Sequence, residues 1–222
     1  EDVGTTARDM LDISRETKWV TGIPEVHGGS GDPSPATARG VLAAMRSVAQ
    51  RLWDTDDLSG RTVAIQGVGK VGASLVQRLS KAGAKVVVAD VNDAAVADME
   101  REYGARPVSD TDIYDVPCDI FAPCALGGSL RRATIPRLRC RAVVGAANNQ
   151  LATEADADRL ADAGILSAPD FVVNAGGIIN ITEELHGYSW ERAAVALDLV
   201  GDNLTRVLDA ADEEGVNPNV AA

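Results

Sequence analysis

The chain alternates between short apolar runs rich in Val and Ile and longer stretches in which apolar residues recur at helical spacing. Short runs without polar alternation are typical of strands buried on both faces of a parallel sheet. From residue 61 onward, strands are therefore predicted at TVAIQ (62–66), KVVVA (85–89), DIFA (119–122), RAVVG (141–145) and ILSA (165–168).

Helical stretches separate these runs. They are predicted over roughly 70–82, 93–103, 132–138 and 153–163. Strands that alternate with helices favour βαβ units, in which helices cover both faces of the sheet. The pattern predicts an α/β fold of the Rossmann type, a doubly wound, mostly parallel sheet with flanking helices.

The two ends of the chain are predicted to be mainly helical. Residues 1–20 indicate a turn and then a helix, and a long amphipathic helix follows near 35–52. Ser34 is expected to cap that helix, because Ser is favoured at the N-cap and Pro35 suits the first helical position. Two more helices are predicted between Gly176 and about Glu214. The apolar positions of the first helix are Met10, Leu11, Ile13 and Trp19.

These elements divide the chain into three predicted parts. Residues 1–52 form connecting helices, 53–188 form a dinucleotide-binding domain, and 189–222 form a C-terminal helix that packs back on the connecting region. The central part carries the clearest chemical signature.

A glycine-rich turn joins the predicted strand at 62–66 to the helix at 70–82. Gly67 allows a tight turn, Gly69 lets a pyrophosphate approach the backbone, and Gly72 lets helix and strand pack closely. The helix N-terminus directs N–H groups and the positive end of its dipole at the anion. A P-loop is excluded, because its lysine is followed by Ser or Thr, whereas Lys70 is followed by Val71.

Asp90 ends the next strand, about 20 residues past the glycines, where a carboxylate accepts hydrogen bonds from the adenosine ribose. A negative charge there repels a 2′-phosphate, which favours NAD over NADP. The alternative is that Asp90 only caps a turn. Lys70 also has two interpretations, a residue that steadies the phosphate or an exposed surface residue. The predicted cofactor contacts in this region are Gly67, Val68, Gly69, Lys70, Val71, Gly72, Asp90 and Val91.

Composition narrows the possible partners. The 222 residues include 33 acidic and 21 basic side chains, a net charge of −12 that argues against nucleic acid and anionic membranes. Cys118, Cys124 and Cys140 are interpreted as reduced thiols of a cytoplasmic protein, and the two histidines are too isolated to predict a metal site. A membrane span needs about 20 consecutive apolar residues, and no apolar run in the sequence approaches that length.

Four stretches together resemble the Glu/Leu/Phe/Val dehydrogenases, and leucine and valine dehydrogenases most of all. They are DVGTTARDM (2–10), PCDIFAPCALGG (117–128), GAANNQL (145–151) and APDFVVNAGGIIN (168–180). The resemblance implies the NAD-binding C-terminal portion of an enzyme that oxidatively deaminates branched-chain L-amino acids. It further implies a homo-oligomer in the complete enzyme and an amino acid as the small-molecule partner.

The resemblance also implies roles for single residues. Asp2 matches an aspartate that transfers protons with a catalytic lysine, although it could equally cap the following turn. Ile178 and Ile181 match pocket positions, and two isoleucines favour leucine, valine or isoleucine over phenylalanine or glutamate; they could also be core residues. The implied cofactor contacts are Cys124, Ala125, Asn148 and Asn174, and the implied substrate contacts are Thr37, Asn148, Ile178 and Ile181.

The lysines on which the family's chemistry depends are not recognisable here. One lies in a GGGK stretch of an N-terminal substrate domain, and the lysines of this chain, Lys18, Lys70, Lys81 and Lys85, lie in no such setting. We therefore expect a chain that lacks the substrate domain, binds NAD and does not turn over alone. The alternatives are a non-catalytic NAD-binding module and a phenylalanine or glutamate dehydrogenase of the same family.

Overall fold

A parallel β-sheet organises the computed structural model, which describes residues 4–222. Within this range six strands pair in the order β3-β2-β1-β4-β5-β6, and every pairing is parallel. The strands are β1 (Thr62–Gln66), β2 (Lys85–Ala89), β3 (Arg106–Pro107), β4 (Ile120–Pro123), β5 (Ala142–Val143) and β6 (Leu166–Ser167).

Helices precede, connect and follow the strands. The α-helices are α1 (Ala7–Ser14), α2 (Ser34–Trp53), α3 (Lys70–Lys81), α4 (Asp93–Tyr103), α5 (Ala155–Asp162), α6 (Asp170–Val173), α7 (Gly176–Thr182), α8 (Trp190–Glu214) and α9 (Pro218–Ala221). Short 3-10 turns lie at Glu25–His27, Asp112–Asp115, Ile135–Arg137 and Glu183–His186. Of the helices between residues 4 and 222, none is long and apolar enough to cross a bilayer.

The strand order reverses at β1. From there the chain adds β2 and β3 on one side and then returns to add β4, β5 and β6 on the other. The predicted doubly wound α/β sheet is confirmed. In such sheets the carboxyl ends of the strands on either side of the reversal, here β1 and β4, border a crevice that binds ligands.

Both faces of the sheet are buried, which explains why its strands show no polar alternation. On one face, Ile65 and its neighbours pack with residues of α2, α3, α4 and α8, including Met45 and Leu75. On the other face, Phe121 and Val143 pack in a second cluster. The central strands therefore present apolar side chains in both directions.

The sequence predicted the two longest strands correctly and the shorter ones less well. The runs at 62–66 and 85–89 are strands over those residues, whereas the observed β4, β5 and β6 are shifted or shorter than predicted. β3 was not predicted. It has two residues, Arg106 and Pro107, both exposed at the sheet edge, where proline is tolerated and no apolar run is needed.

The helix predicted over 132–138 was wrong. Only a 3-10 turn, Ile135–Arg137, forms there. Pro136 lies in the middle of the predicted helix, and a proline there removes a backbone donor and clashes with the preceding turn.

The first helix ends earlier than expected, at Ser14. Arg15 donates its N–H to Asp12 O, and Glu16 donates to Ile13 O, so the last turn tightens and the helix stops. Trp19 therefore lies outside the helix and is 82% exposed, which corrects its predicted role as an apolar packing position.

The N-cap predicted at Ser34 was also wrong, because Ser34 is the first residue of α2. Its N–H donates to Asp32 Oδ1 at 2.9 Å. The Asp32 carboxylate therefore accepts a backbone N–H at the start of the helix, the role expected of the Ser34 hydroxyl.

α2 and α8 pack closely. Arg39 forms an ion pair with Asp198 at 2.7 Å, and the hydroxyls of Ser47 and Thr205 lie 2.6 Å apart. At Gly201, an added Cβ would lie 2.8 Å from Ala43 O, so the absent side chain lets the two backbones approach.

This close approach predicts opposite outcomes for two glycine-to-alanine substitutions. Gly40 is also in α2, but its Cβ would meet Val200 at an ordinary 3.4 Å. Gly40→Ala should be neutral or raise stability by up to about 1 kcal/mol through helix propensity. Gly201→Ala should be less stable than Gly40→Ala by about 1–3 kcal/mol, because the methyl group overpacks the interface. Urea unfolding of both variants measures the difference, and equal stabilities would contradict the contact.

Candidate functional site

The turn after β1 closely approaches the chain leaving β4. Gly67 has φ +96°, a conformation that favours glycine, and its Cβ would lie 2.6 Å from Ala125 N. At Gly72 a Cβ would lie 2.0 Å from Gly67 O. The first and third glycines are thus required by backbone conformation or packing.

Gly69 differs from both, because a Cβ there would meet nothing within 4 Å. Gly69 is the N-cap of α3, and its carbonyl accepts the N–H of Ala73. Open space therefore lies beside the N-terminus of a twelve-residue helix, where backbone donors and the helix dipole favour an anion. These residues fit the pyrophosphate of a dinucleotide.

Asp90 ties the glycine turn to the end of β2. Its Oδ2 accepts the N–H of Val68 at 2.7 Å, and its Oδ1 accepts the N–H of Asn92 at 2.9 Å. The turn-forming interpretation of Asp90 is therefore seen directly. Each carboxylate oxygen still has a second lone pair, so a ribose hydroxyl can also donate to this half-buried side chain.

Lys70 connects the glycine turn to the start of α2. Its Nζ lies 3.5 Å from Asp32 Oδ2, and both side chains are partly exposed. Burial alone would raise the pKa of Asp32, but hydrogen bonds from Ser34 and the charge of Lys70 outweigh it and lower that pKa. Lys70 is therefore an exposed residue with a specific ion pair.

The three valines beside these residues differ in exposure. Val68 is buried in the core, Val71 packs against it half-buried, and Val91 is 88% exposed. Val68 offers its backbone N–H to Asp90, while the side chain of Val91 is available to a ligand beyond β2.

The chain after β4 forms the opposite wall. Cys124 donates its N–H to Gln66 O at 2.7 Å, and burial raises the pKa of its thiol to about 12. The thiol therefore stays protonated at neutral pH and acts as a packing group. Ala125 is exposed. At Gly127 a Cβ would lie 2.6 Å from Asn148 O, so the loops after β4 and β5 touch.

Two predicted asparagines lie in direct contact. Asn174, in the turn between α6 and α7, donates Nδ2–H to Asn148 Oδ1 at 2.6 Å. With Oδ1 engaged, Asn148 has its Nδ2 amide left to donate to a ligand, and the residue is exposed. Asn174 correspondingly has Oδ1 as its acceptor.

Three of the four predicted substrate residues, all except Asn148, lie at the junction of α2 and α7. Thr37 is buried and donates its hydroxyl to Pro33 O at 3.1 Å. A Cβ on Gly177 would lie 2.9 Å from Thr37 Oγ1, so α7 rests against the start of α2. On α7, Ile178 is 67% exposed and Ile181 is half-buried. Asp2 lies outside the residues that the structure describes.

A carboxylate that the sequence analysis did not single out holds the loop before α2. Glu184 Oε1 accepts the N–H of Gly22 at 2.8 Å, the N–H of Ser30 at 2.7 Å and the hydroxyl of Ser30. The partners lie more than 150 positions apart, so no local pattern could have revealed them.

The contacts form one continuous line through the site. The glycine turn touches the loop after β4, that loop touches Asn148, Asn148 touches Asn174, and α7 then meets Thr37. Within residues 4–222 no cluster of three or more His, Cys, Asp or Glu is arranged to hold a metal ion. The site therefore combines backbone donors, amide groups and the Asp90 carboxylate.

A family model decides the relationship. The model for Glutamate/Leucine/Phenylalanine/Valine dehydrogenase matches residues 28–100 and 88–222. The chain belongs to this family. The resemblance inferred from the four sequence stretches is confirmed.

Individual dehydrogenases of the family match almost the entire chain. A leucine dehydrogenase from Geobacillus stearothermophilus is 46% identical over 222 residues, and a valine dehydrogenase from Streptomyces albus is 46% identical over 224. A phenylalanine dehydrogenase from Lysinibacillus sphaericus is 43% identical over 95% of the chain. The chain spans 60% of the length of the first, 62% of the second and 56% of the third.

Solved structures of dehydrogenases have the same fold. L-tryptophan dehydrogenase from Nostoc punctiforme superposes with a TM-score of 0.83 at 40% identity, over 85% of this chain and 58% of that one. A glutamate dehydrogenase from Thermus thermophilus gives 0.79 at 23% identity, over 99% and 59%. At 23% identity, the similarity to the glutamate dehydrogenase shows only that the fold is shared.

The Glu184 contacts predict a specific loss of stability. Glu184→Ala should lower the free energy of unfolding by at least about 2 kcal/mol, because it removes the acceptor of three hydrogen bonds and one bond to a charged group is worth roughly 1.5–3 kcal/mol. Proteolysis should also become faster within residues 20–31. Thermal unfolding and limited proteolysis provide the two measurements.

The neighbouring Glu183 supplies the matched control. Glu183 pairs with Arg192 at 2.8 Å near the surface, so Glu183→Ala should cost at most about 1 kcal/mol. It should also leave residues 20–31 as resistant to proteolysis as in the unmodified protein. Similar loop cleavage in both variants would show that Glu184 does not hold the loop.

Proposed function

We propose that this chain is the cofactor-binding part of an NAD-dependent dehydrogenase that deaminates branched-chain L-amino acids. The overall reaction would convert the amino acid, NAD and water into a 2-oxo acid, ammonia and NADH, in a homo-oligomer. The observation that carries the proposal is the open space beside Gly69 at the N-terminus of α3, with Asp90 bound to the same turn.

The cofactor would lie across the carboxyl ends of β1 and β4. Backbone N–H groups at the start of α3 would bind its pyrophosphate, and Asp90 would accept hydrogen bonds from the adenosine ribose. Ala125 and the two asparagines, Asn148 and Asn174, would orient the nicotinamide ring. When bound, nicotinamide supplies the acceptor for the hydride that leaves the substrate Cα.

Two charges near the turn bear on the choice between NAD and NADP. Asp90 would repel a 2′-phosphate, while Lys70 would attract one if it left Asp32. Because Asp90 bonds directly to the glycine turn and Lys70 is held by Asp32, we expect the repulsion to dominate and NAD to be preferred.

The substrate would lie beside α7. Asn148 Nδ2 can donate to the substrate carboxylate. Thr37 packs against the start of α7 at Gly177. Ile178 and Ile181 would contact the substrate side chain, where each methylene is worth only about 1–3 kcal/mol. An aliphatic pair of this size supports leucine, valine or isoleucine.

An aromatic substrate is the second candidate. Phenylalanine and tryptophan dehydrogenases are 43% and 40% identical to this chain, close to the 46% of the leucine and valine enzymes. The exposed side of Ile178 also leaves room for a larger ring. Kinetics of the complete protein with leucine, valine and phenylalanine would distinguish the two candidates.

Proton transfer would depend on Asp2 and on catalytic lysines. Within residues 4–222, none of the lysines of this chain is placed to serve as one. Lys81 and Lys85 lie at the end of α3 and the start of β2, on the edge of the sheet opposite the glycine turn. Lys70 is paired with Asp32, and the Lys18 ammonium lies over the Trp19 ring. We therefore propose that the chain alone binds NAD without turning over.

Dinucleotide binding has a direct test in this chain. NADH should raise the melting temperature of the protein and should do so more than NADPH, because a ligand that binds only the native state stabilises it. Gly69→Val should weaken NADH binding at least about tenfold, a loss of about 1.4 kcal/mol, because its side chain fills the open space. Thermal shift and NADH fluorescence report the two effects.

A valine elsewhere controls for nonspecific damage. Ala161→Val, on an exposed position of α5, should leave NADH affinity unchanged. No thermal shift with NADH in the unmodified protein would overturn the cofactor assignment. Unchanged affinity in Gly69→Val would instead place the pyrophosphate elsewhere.

Turnover provides a separate prediction. The chain mixed with NAD and L-leucine should form no NADH, because the described lysines lie away from the site or are paired. Absorbance of NADH measures this, and leucine dehydrogenase from Geobacillus stearothermophilus serves as the positive control. Sustained NADH formation by the chain alone would show that it contains a complete catalytic set.

A further inference from the structure

Two cysteines lie opposite one another where β4 and β5 begin. Pro117 pairs with Arg139 and Ile120 pairs with Ala142 in the same parallel register, which places Cys118 opposite Cys140. The backbone N–H of Cys118 donates to Arg139 O at 3.1 Å. Neighbouring strands lie about 4.8 Å apart, and disulfides join Cα atoms about 4.4–6.8 Å apart, so the backbones have a suitable separation.

The two thiols also differ in acidity. A hydrogen bond between them raises the pKa of Cys118, with burial adding to the effect, and lowers the pKa of Cys140. Cys140 is therefore the better nucleophile of the pair, with Cys118 as its hydrogen-bond donor.

Both thiols are partly exposed to solvent. Cys118 and Cys140 are half-buried at the margin of the second core cluster. Cys124 provides the contrast, because it lies beyond the other end of β4, away from this pair. The register therefore pairs two of the three thiols and leaves the third apart.

We propose that Cys118 and Cys140 form a reversible disulfide when the protein meets hydrogen peroxide. The Cys140 thiolate attacks a peroxide oxygen and breaks the O–O bond, which gives a sulfenic acid and, with one proton, water. The Cys118 sulfur then attacks Cys140 Sγ, the S–S bond forms, and the hydroxyl leaves with the Cys118 proton as a second water. Two thiols lose two electrons and the peroxide gains them.

The crosslink would join two strands that carry parts of the candidate site. β4 leads into the loop with Ala125, and β5 leads into Asn148. The cysteines lie at the opposite, amino ends of these strands, so the disulfide would tether the strands without entering the cofactor crevice. The site therefore needs neither cofactor nor substrate to react.

Peptide mapping tests the proposal on the folded chain. After treatment with hydrogen peroxide, the protein should lose two of its three free thiols and yield a peptide that joins Cys118 to Cys140. Dithiothreitol should restore both thiols. The melting temperature of the oxidised protein should rise, because a crosslink restricts the unfolded chain.

Serine variants assign the roles. Cys140→Ser should leave Cys118 unmodified, whereas Cys118→Ser should accumulate a sulfenic acid on Cys140 that a dimedone probe traps. Cys124→Ser should still form the crosslink. Three results would overturn the proposal: three free thiols after peroxide treatment, a crosslink that includes Cys124, or a disulfide only between separate chains. Each can be observed in the protein without substitutions.

Discussion

The candidate site depends on how closely the backbone after β1 approaches the backbone after β4. A side chain at Gly67 would collide with Ala125, and one at Gly72 would collide with Gly67 itself. These two contacts fix where α3 begins and therefore where its N-terminal donors lie. Asp90 then binds the N–H of Val68, so β1, β2 and β4 jointly determine the position of a single turn.

Glycines make the same kind of contact at other junctions. Gly127 meets the loop after β5, Gly176 meets the carbonyl of Ala36, and Gly201 meets Ala43. At each junction backbone lies directly against backbone, so few side chains are needed to maintain the geometry of the site. This arrangement makes the site tolerant of many surface substitutions and sensitive to the addition of one methyl group.

The sequence predicted those features whose causes are local. The buried strand at 62–66, the glycine spacing and Asp90 each follow from short patterns, and together they defined the candidate cofactor edge. β3 was missed because its two residues carry no apolar signal, and the helix over 132–138 failed because Pro136 outweighed its neighbours. The role of Glu184 and the pairing of Cys118 with Cys140 depend on contacts between distant segments. Composition and local spacing do not reveal such contacts.

Substrate selectivity would arise from closure around α7. Ile178 is 67% exposed, and the hydrophobic free energy scales with the apolar area removed from water, at about 25 cal/mol per Å². An isoleucine that stays in water therefore distinguishes little between leucine and phenylalanine. Its contribution would become large only if substrate and a covering surface excluded that water, so selectivity would belong to a closed, substrate-bound state. The proposed cofactor contacts would need no such closure, because Gly69 and Asp90 are already positioned by the sheet.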